Sequence, residues 1–120
     1  MTVRQEGATT VKPSSQQEIA QLCLRVAQSL ELAHDRQSAR WFTDAAASLR
    51  GASADRVADV VAQIHRTVRG GAAGPRGTVI VAADGRADSV ATERLHADLE
   101  RLYSLTRQSR LLDWIRSFTG

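Results

Sequence analysis

Apolar residues recur along this chain at steps of three and four, which is the signature of helices that bury one face. In the first block, Ile19, Leu22, Cys23, Val26, Leu30 and Ala33 share a single stripe. Ser15-Gln-Gln-Glu18 stands ahead of them with capping-box spacing: the Ser hydroxyl accepts an early amide and the Glu reaches back. The pattern predicts a helix that ends near His34. A second helix is predicted from Asp35, a suitable N-cap, with Ala39, Phe42, Ala45, Ala46 and Leu49 on its inner face and Gly51 as its stop. Trp41 lies beside that stripe. A third opens at Ser53, places Asp55 in its positive first turn, and repeats Val57, Val60, Val61, Ile64 and Val68. His65, Arg66 and Arg69 crowd its end, and Gly70-Gly71 stops it.

The pattern then changes. Residues 70–77 read GGAAGPRG and hold four of the eight glycines. Thr78 to Ala83 reads as a short strand and Asp84-Gly85 as a turn. A lone strand cannot satisfy its own backbone, so it must pair with the N-terminal segment, a nearby loop or another subunit. A fourth helix is expected from Asp88 or Ser89, with Ala91, Leu95, Leu99, Leu102 and Leu105 or Thr106 inward. Arg94, Asp98, Glu100 and Arg101 are expected on its outer surface. It runs on into Leu111, Trp114, Ile115 and Phe118 or breaks near Ser109.

These elements predict a mainly α fold. Four to five helices form a bundle, with a minor β strand or hairpin between the third and fourth, and short connections favour antiparallel packing among the first three. Residues 1–14 are expected to be a flexible lead-in, in which Ala8 to Val11 could add a short strand, and residues 15–120 a single helical domain. The expected core is Ile19, Leu22, Val26, Leu30, Phe42, Leu49, Val57, Val61, Ile64, Leu95, Leu99 and Leu102.

Composition narrows the chemistry. With 120 residues the chain is long enough to build a core without covalent staples. Its single cysteine, Cys23, excludes an internal disulfide, and its place on an apolar stripe marks a buried, inert thiol. No run reaches the length of a membrane span, and Met1 to Ser15 lacks the apolar centre of a signal peptide, so a cytoplasmic protein with no membrane partner is expected. Net charge is only +3 and acidic residues are mixed among the arginines, so no basic arm stands out.

No catalytic residue, metal ligand set or cofactor motif emerges, and a non-enzyme is expected. The glycines follow a helix and precede a strand, the reverse of the order in a phosphate-binding loop. His34, His65 and His96 are far apart in sequence and are expected to face solvent or to cap helices rather than hold zinc. Residues 39–69 carry the Ala47, Gly51 and Val57 spacing of a helix-turn-helix, but Arg50 occupies an apolar position of that motif. Asp55 and Asp59 would also meet phosphates on the recognition helix. A DNA-binding regulator is therefore the lesser alternative. A small-molecule pocket lined by Trp41 or Trp114 is another.

The residues Gly70-Gly71, Gly74, Val79-Ile80-Val81, Asp84-Gly85 and Glu93-Arg94-Leu95 through Leu102-Tyr103 resemble a family of short bacterial proteins of unknown function. Its shared pattern is a helical first half, a Gly-Gly turn, a short strand, an Asn-Gly-type turn and a Leu-rich helix ending in Leu-Tyr. The resemblance covers about residues 70–103; Pro75, Arg76 and Gly77 replace that family's polar turn residues, and Arg86 stands where His is common. It implies topology and no activity. In size and style such proteins are similar to immunity proteins and other accessory partners in bacterial conflict systems.

The expected function is thus a non-catalytic protein-interaction or accessory module, immunity-like, whose partner is another protein or a second copy of the chain. Arg76, Asp84 and Arg86 around the turn, with Trp114 and Phe118 of the apolar tail, form the candidate contact surface. Replacing Arg76 and Arg86 together by alanine should weaken partner binding and leave the thermal midpoint nearly unchanged. A large loss of stability, or unaltered binding, would remove those two residues from the surface.

Overall fold

The computed structural model describes the backbone of residues 13–69 and 78–119, and side chains over 15–69 and 78–107. The possible strand at Ala8 to Val11, the glycine-rich segment with Arg76, and the side chains of Trp114 and Phe118 lie outside the described residues. Four helices are present among those described: α1 (Pro13–Leu32), α2 (Arg36–Arg50), α3 (Ala54–Val68) and α4 (Ser89–Thr119). α4 passes Ser109 without a break.

All twelve expected core residues are buried. Phe42, Ile19, Leu30, Leu49, Ile64, Leu95, Leu99 and Leu102 are the largest of the fully enclosed side chains. Alanines fill the space between them: Ala20 and Ala27 on α1, and Ala39, Ala45 and Ala46 on α2. Each fully buried Leu, Ile or Phe contributes roughly 1.5–3 kcal/mol relative to exposure. Trp41 packs edge-on to Phe42, with ring centroids 5.0 Å apart at 80°.

Helix α1 begins earlier than the capping box implies. Pro13 starts it, since a fixed φ and a missing N–H cost nothing in the first turn. Ser15 therefore lies inside the helix, and Glu18 turns outward to accept from Arg101 Nε at 2.8 Å. The other end is a Schellman turn. Asp35 N–H donates to Leu30 O at 2.9 Å and His34 N–H to Glu31 O at 3.0 Å. That geometry puts His34 in the left-handed region, φ 62°, where glycine is usual. Asp35 then caps α2 by accepting from Ser38 N–H at 3.2 Å.

α1 and α3 pack on α4, and α2 packs on α1 and α3. α1 and α2 are antiparallel across their short turn, and Gln16 Nε2 reaches back to donate to Leu49 O. α1 and α4 are antiparallel too, with Glu18 beside Arg101 and Arg25 beside Asp98. α3 follows α2 after the turn at 51–53 and packs against both α2 and α4. Near its far end His65 meets Thr106 of α4.

The expected strand at 78–83 is not formed as such. The described residues contain a single antiparallel bridge, Val81 with Ala87. Two hydrogen bonds frame it, Ala82 N–H to Arg86 O at 2.8 Å and Asp88 N–H to Ile80 O at 2.7 Å. Gly85 N–H donates to Ala82 O at 2.9 Å, and the turn requires φ 85° at Gly85. Side chains of α4 do the rest of the pairing. Thr92 Oγ1 accepts from Ile80 N–H at 2.9 Å, and His96 Nε2–H donates to Thr78 O at 3.0 Å.

The left-handed His34 stores strain that glycine would release. His34→Gly should raise the unfolding free energy by about 0.5–1 kcal/mol, a relief of αL strain partly offset by unfolded-state entropy. His34→Val, β-branched at the same φ, should lower it. Urea unfolding of both variants checks this; a stabilising valine would show that residue 34 is not held in that conformation.

Candidate functional site

Two surfaces and one set of buried polar groups stand out. The first surface is the end of the molecule where α4 begins. Asp84 and Arg86 are exposed on the turn there, and Asp84 Oδ1 accepts from Arg86 N–H at 3.0 Å. Ile80 is buried, so its neighbours Val79 and Val81 face outward, 54% and 48% exposed. Val90, in the first turn of α4, is 66% exposed. Leu32, at 60%, ends α1. From the Arg25–Asp98 pair, Leu32 is seven residues on and Val90 eight residues back on the antiparallel neighbour, so the two stand at the same level. The large exposed hydrophobics of the described residues are therefore gathered at one pole.

That pole also carries a backbone edge. Ile80 and Ala82 turn their polar groups toward Thr92, Asp88 and Arg86. Residues alternate, so the amides and carbonyls of Val79 and Val81 point the other way, and among the described residues none of them is hydrogen-bonded. Sequence reasoning placed Asp84 and Arg86 at this surface but missed the four hydrophobics. The signal was present: Val79 and Val81 alternate with Ile80, and Val90 lies off the inward stripe of α4.

The second surface lies between α2 and α3. A half-open cleft of about 150 Å³ separates them, lined by Trp41, Asp44, Ala45 and Ser48 from α2 and Arg56, Val60 and Gln63 from α3. Trp41 is half-buried and forms its wall, while Asp44, Arg56 and Gln63 are exposed. On the same helix Asp55 and Asp59 are exposed, the arrangement that disfavours a phosphate backbone.

The buried groups correct two expectations. His65 is not at the surface: it is 6% exposed, stacks on Tyr103 with centroids 5.1 Å apart, and lies 3.0 Å from Thr106 Oγ1. Thr106 Oγ1 also lies 2.8 Å from Leu102 O and 3.2 Å from Tyr103 O, and a hydroxyl proton given to either carbonyl leaves His65 Nδ1 as the donor. This is a clamp between α3 and α4. His96 is half-buried and ties down Thr78, and only His34 matches the expected exposure. Asp98, expected on the outer surface of α4, is buried; Oδ1 accepts from Arg25 Nη2 at 2.9 Å and Oδ2 has no hydrogen-bond partner. Burial raises the Asp98 pKa, against the opposing pull of Arg25 and Arg94. Burial wins because the Arg25 side chain is 58% exposed and water screens its charge. Cys23 is enclosed, and burial pushes its thiol up to about 12, so it stays protonated.

Among the described residues no group of three or more His, Cys, Asp or Glu could hold a metal ion, and no helix is long and apolar enough to cross a membrane. Comparison with protein-family models, curated proteins and solved structures finds no match to this chain.

A raised carboxyl pKa means that the folded chain holds the Asp98 proton more tightly than the unfolded chain does. Its stabilising effect is present at low pH and is lost as pH rises through the raised value. Wild type should therefore lose stability relative to Asp98→Asn as pH rises from about 4, the ordinary carboxylate range. Denaturant midpoints of both proteins across acid to neutral pH test this, and parallel profiles would refute it.

Proposed function

We propose that this chain is a non-catalytic module that binds another protein through the pole formed by Leu32, Val79, Val81 and Val90, with Asp84 and Arg86 at its rim. The observation that carries the reading is the coincidence at one end of exposed large hydrophobics and an unpaired backbone edge. Scattered surface hydrophobics need no explanation, but a cluster rimmed by charge favours association. An open edge offers donors and acceptors that an extended segment of a partner can satisfy by strand addition. Valines alternating along that edge would then pack against side chains of the incoming segment.

The remaining reactive side chains support a binding role. Cys23 is enclosed, and His65 and His96 are each committed to a hydrogen bond that fastens one element to another. The core is filled by apolar stripes, and the polar groups buried with it join helices. The partner is another protein rather than a nucleic acid, because the exposed surface of α3 mixes Asp55 and Asp59 with its arginines.

The test is capture of partners from the chain's native cells by the tagged wild type and by Val79→Lys/Val81→Lys. Both side chains are about half-exposed, so the double variant should keep its thermal midpoint within a few degrees. Wild type is expected to retain a stoichiometric partner whose yield falls roughly tenfold in the variant, the effect of losing about 1.4 kcal/mol. Equal retention by both proteins would overturn the assignment. Light scattering on the wild type separates a second copy of the chain from a different partner.

A further inference from the structure

We propose that the cleft between α2 and α3 binds a small zwitterion, of the class of a free α-amino acid with a short side chain. The site is separate from the protein-binding pole and does not rest on that reading.

The cleft carries opposite charges on its two walls. Asp44 enters from α2 and Arg56 from α3. Among the described residues neither side chain makes an ion pair or a side-chain hydrogen bond. Ser48 and Gln63 add a hydroxyl and an amide to the same cleft.

Size selects the ligand. A volume of about 150 Å³ corresponds to about five water molecules at roughly 30 Å³ each. That suits five or six heavy atoms and is well under the roughly 300–1,000 Å³ of sites that enclose larger ligands. Charge selects it further. A carboxylate alone would satisfy Arg56 and lie against Asp44, and an amine alone would do the reverse. A molecule carrying both satisfies each wall, with the guanidinium able to take a carboxylate through two N–H groups. Trp41, held edge-on by Phe42, supplies a fixed aromatic wall against which an ammonium group is favoured.

The test uses the unmodified chain and L-alanine as probe, followed through the indole N–H proton resonance of Trp41, which is assigned by its loss in Trp41→Phe. Alanine should shift that resonance saturably in the millimolar range at neutral pH. N-acetylalanine, which lacks the cationic amine, and alanine amide, which lacks the carboxylate, should each bind at least about tenfold more weakly, the loss expected when one charged partner is left unpaired. Asp44→Asn should abolish the preference for alanine over N-acetylalanine and keep that over alanine amide. Arg56→Gln should show the opposite pattern. All four cleft side chains lie at or near the surface, so these variants should fold, and the other resonances of the spectrum check that they do. No saturable shift, equal binding of the three compounds, or preferences that survive both substitutions would overturn the proposal. Loss of protein binding in Val79→Lys/Val81→Lys with alanine binding intact would show that the two sites stand or fall separately.

Discussion

α1, α3 and the segment 78–88 are all held on α4, and α2 packs mainly on α1 and α3. The inward leucines of α4, Leu95, Leu99 and Leu102, are fully enclosed. α1 lies antiparallel along it, α3 packs on it through His65 and Thr106, and the segment 78–88 folds back onto its first turns. A helix covered on several sides cannot keep all its polar residues in water. The sequence here has few large hydrophobics with which to cover it, so polar side chains are drawn into the contacts. Thr106 and Asp98 are the result, each buried and each bonded to a neighbouring helix.

Those polar contacts set orientation where apolar burial alone would not. Hydrophobic packing is non-directional, and a core of alanine, valine and leucine offers many nearly equivalent ways for one helix to lie on another. The His65–Thr106 bond is directional. It joins the end of α3 to a particular turn of α4. The Thr92 and His96 bonds act alike at the other end, holding residues 78–80 in an extended form without a second strand. The outward edge of Val79 and Val81 is what remains.

Much of this was legible in the sequence. The three short helices follow from apolar periodicity and from caps that are local by nature: Asp35 and Ser53 each accept from an amide three residues on. The same periodicity named the core, because a residue on the buried stripe of an amphipathic helix has nowhere else to go. Gly85 was legible as a turn, since its positive φ excludes most other residues. The candidate surface was legible only in part. Asp84 and Arg86 were expected at the turn, whereas Val79, Val81 and Val90 look like ordinary strand and helix formers until their neighbours are known.

What the sequence determined by itself was therefore whatever depends on residues a few positions apart: helix extents, caps, the inward stripes and the tight turn. What only the tertiary structure decided was every relation between residues far apart in the chain. Asp98 and His65 looked like surface groups because each is a polar side chain in an otherwise amphipathic helix, and only the packing of neighbouring helices, with Arg25 and Thr106 as partners, buries them. The strand at 78–83 looked self-evident from its valines, yet strand pairing needs a second chain segment, and α4 supplied side chains instead. Asp44 and Arg56 were unremarkable twelve residues apart; the packing of α3 beside α2 places them across one cleft. Local propensity acts within a turn or two of helix, whereas orientation is set by a few directional contacts that no local pattern encodes.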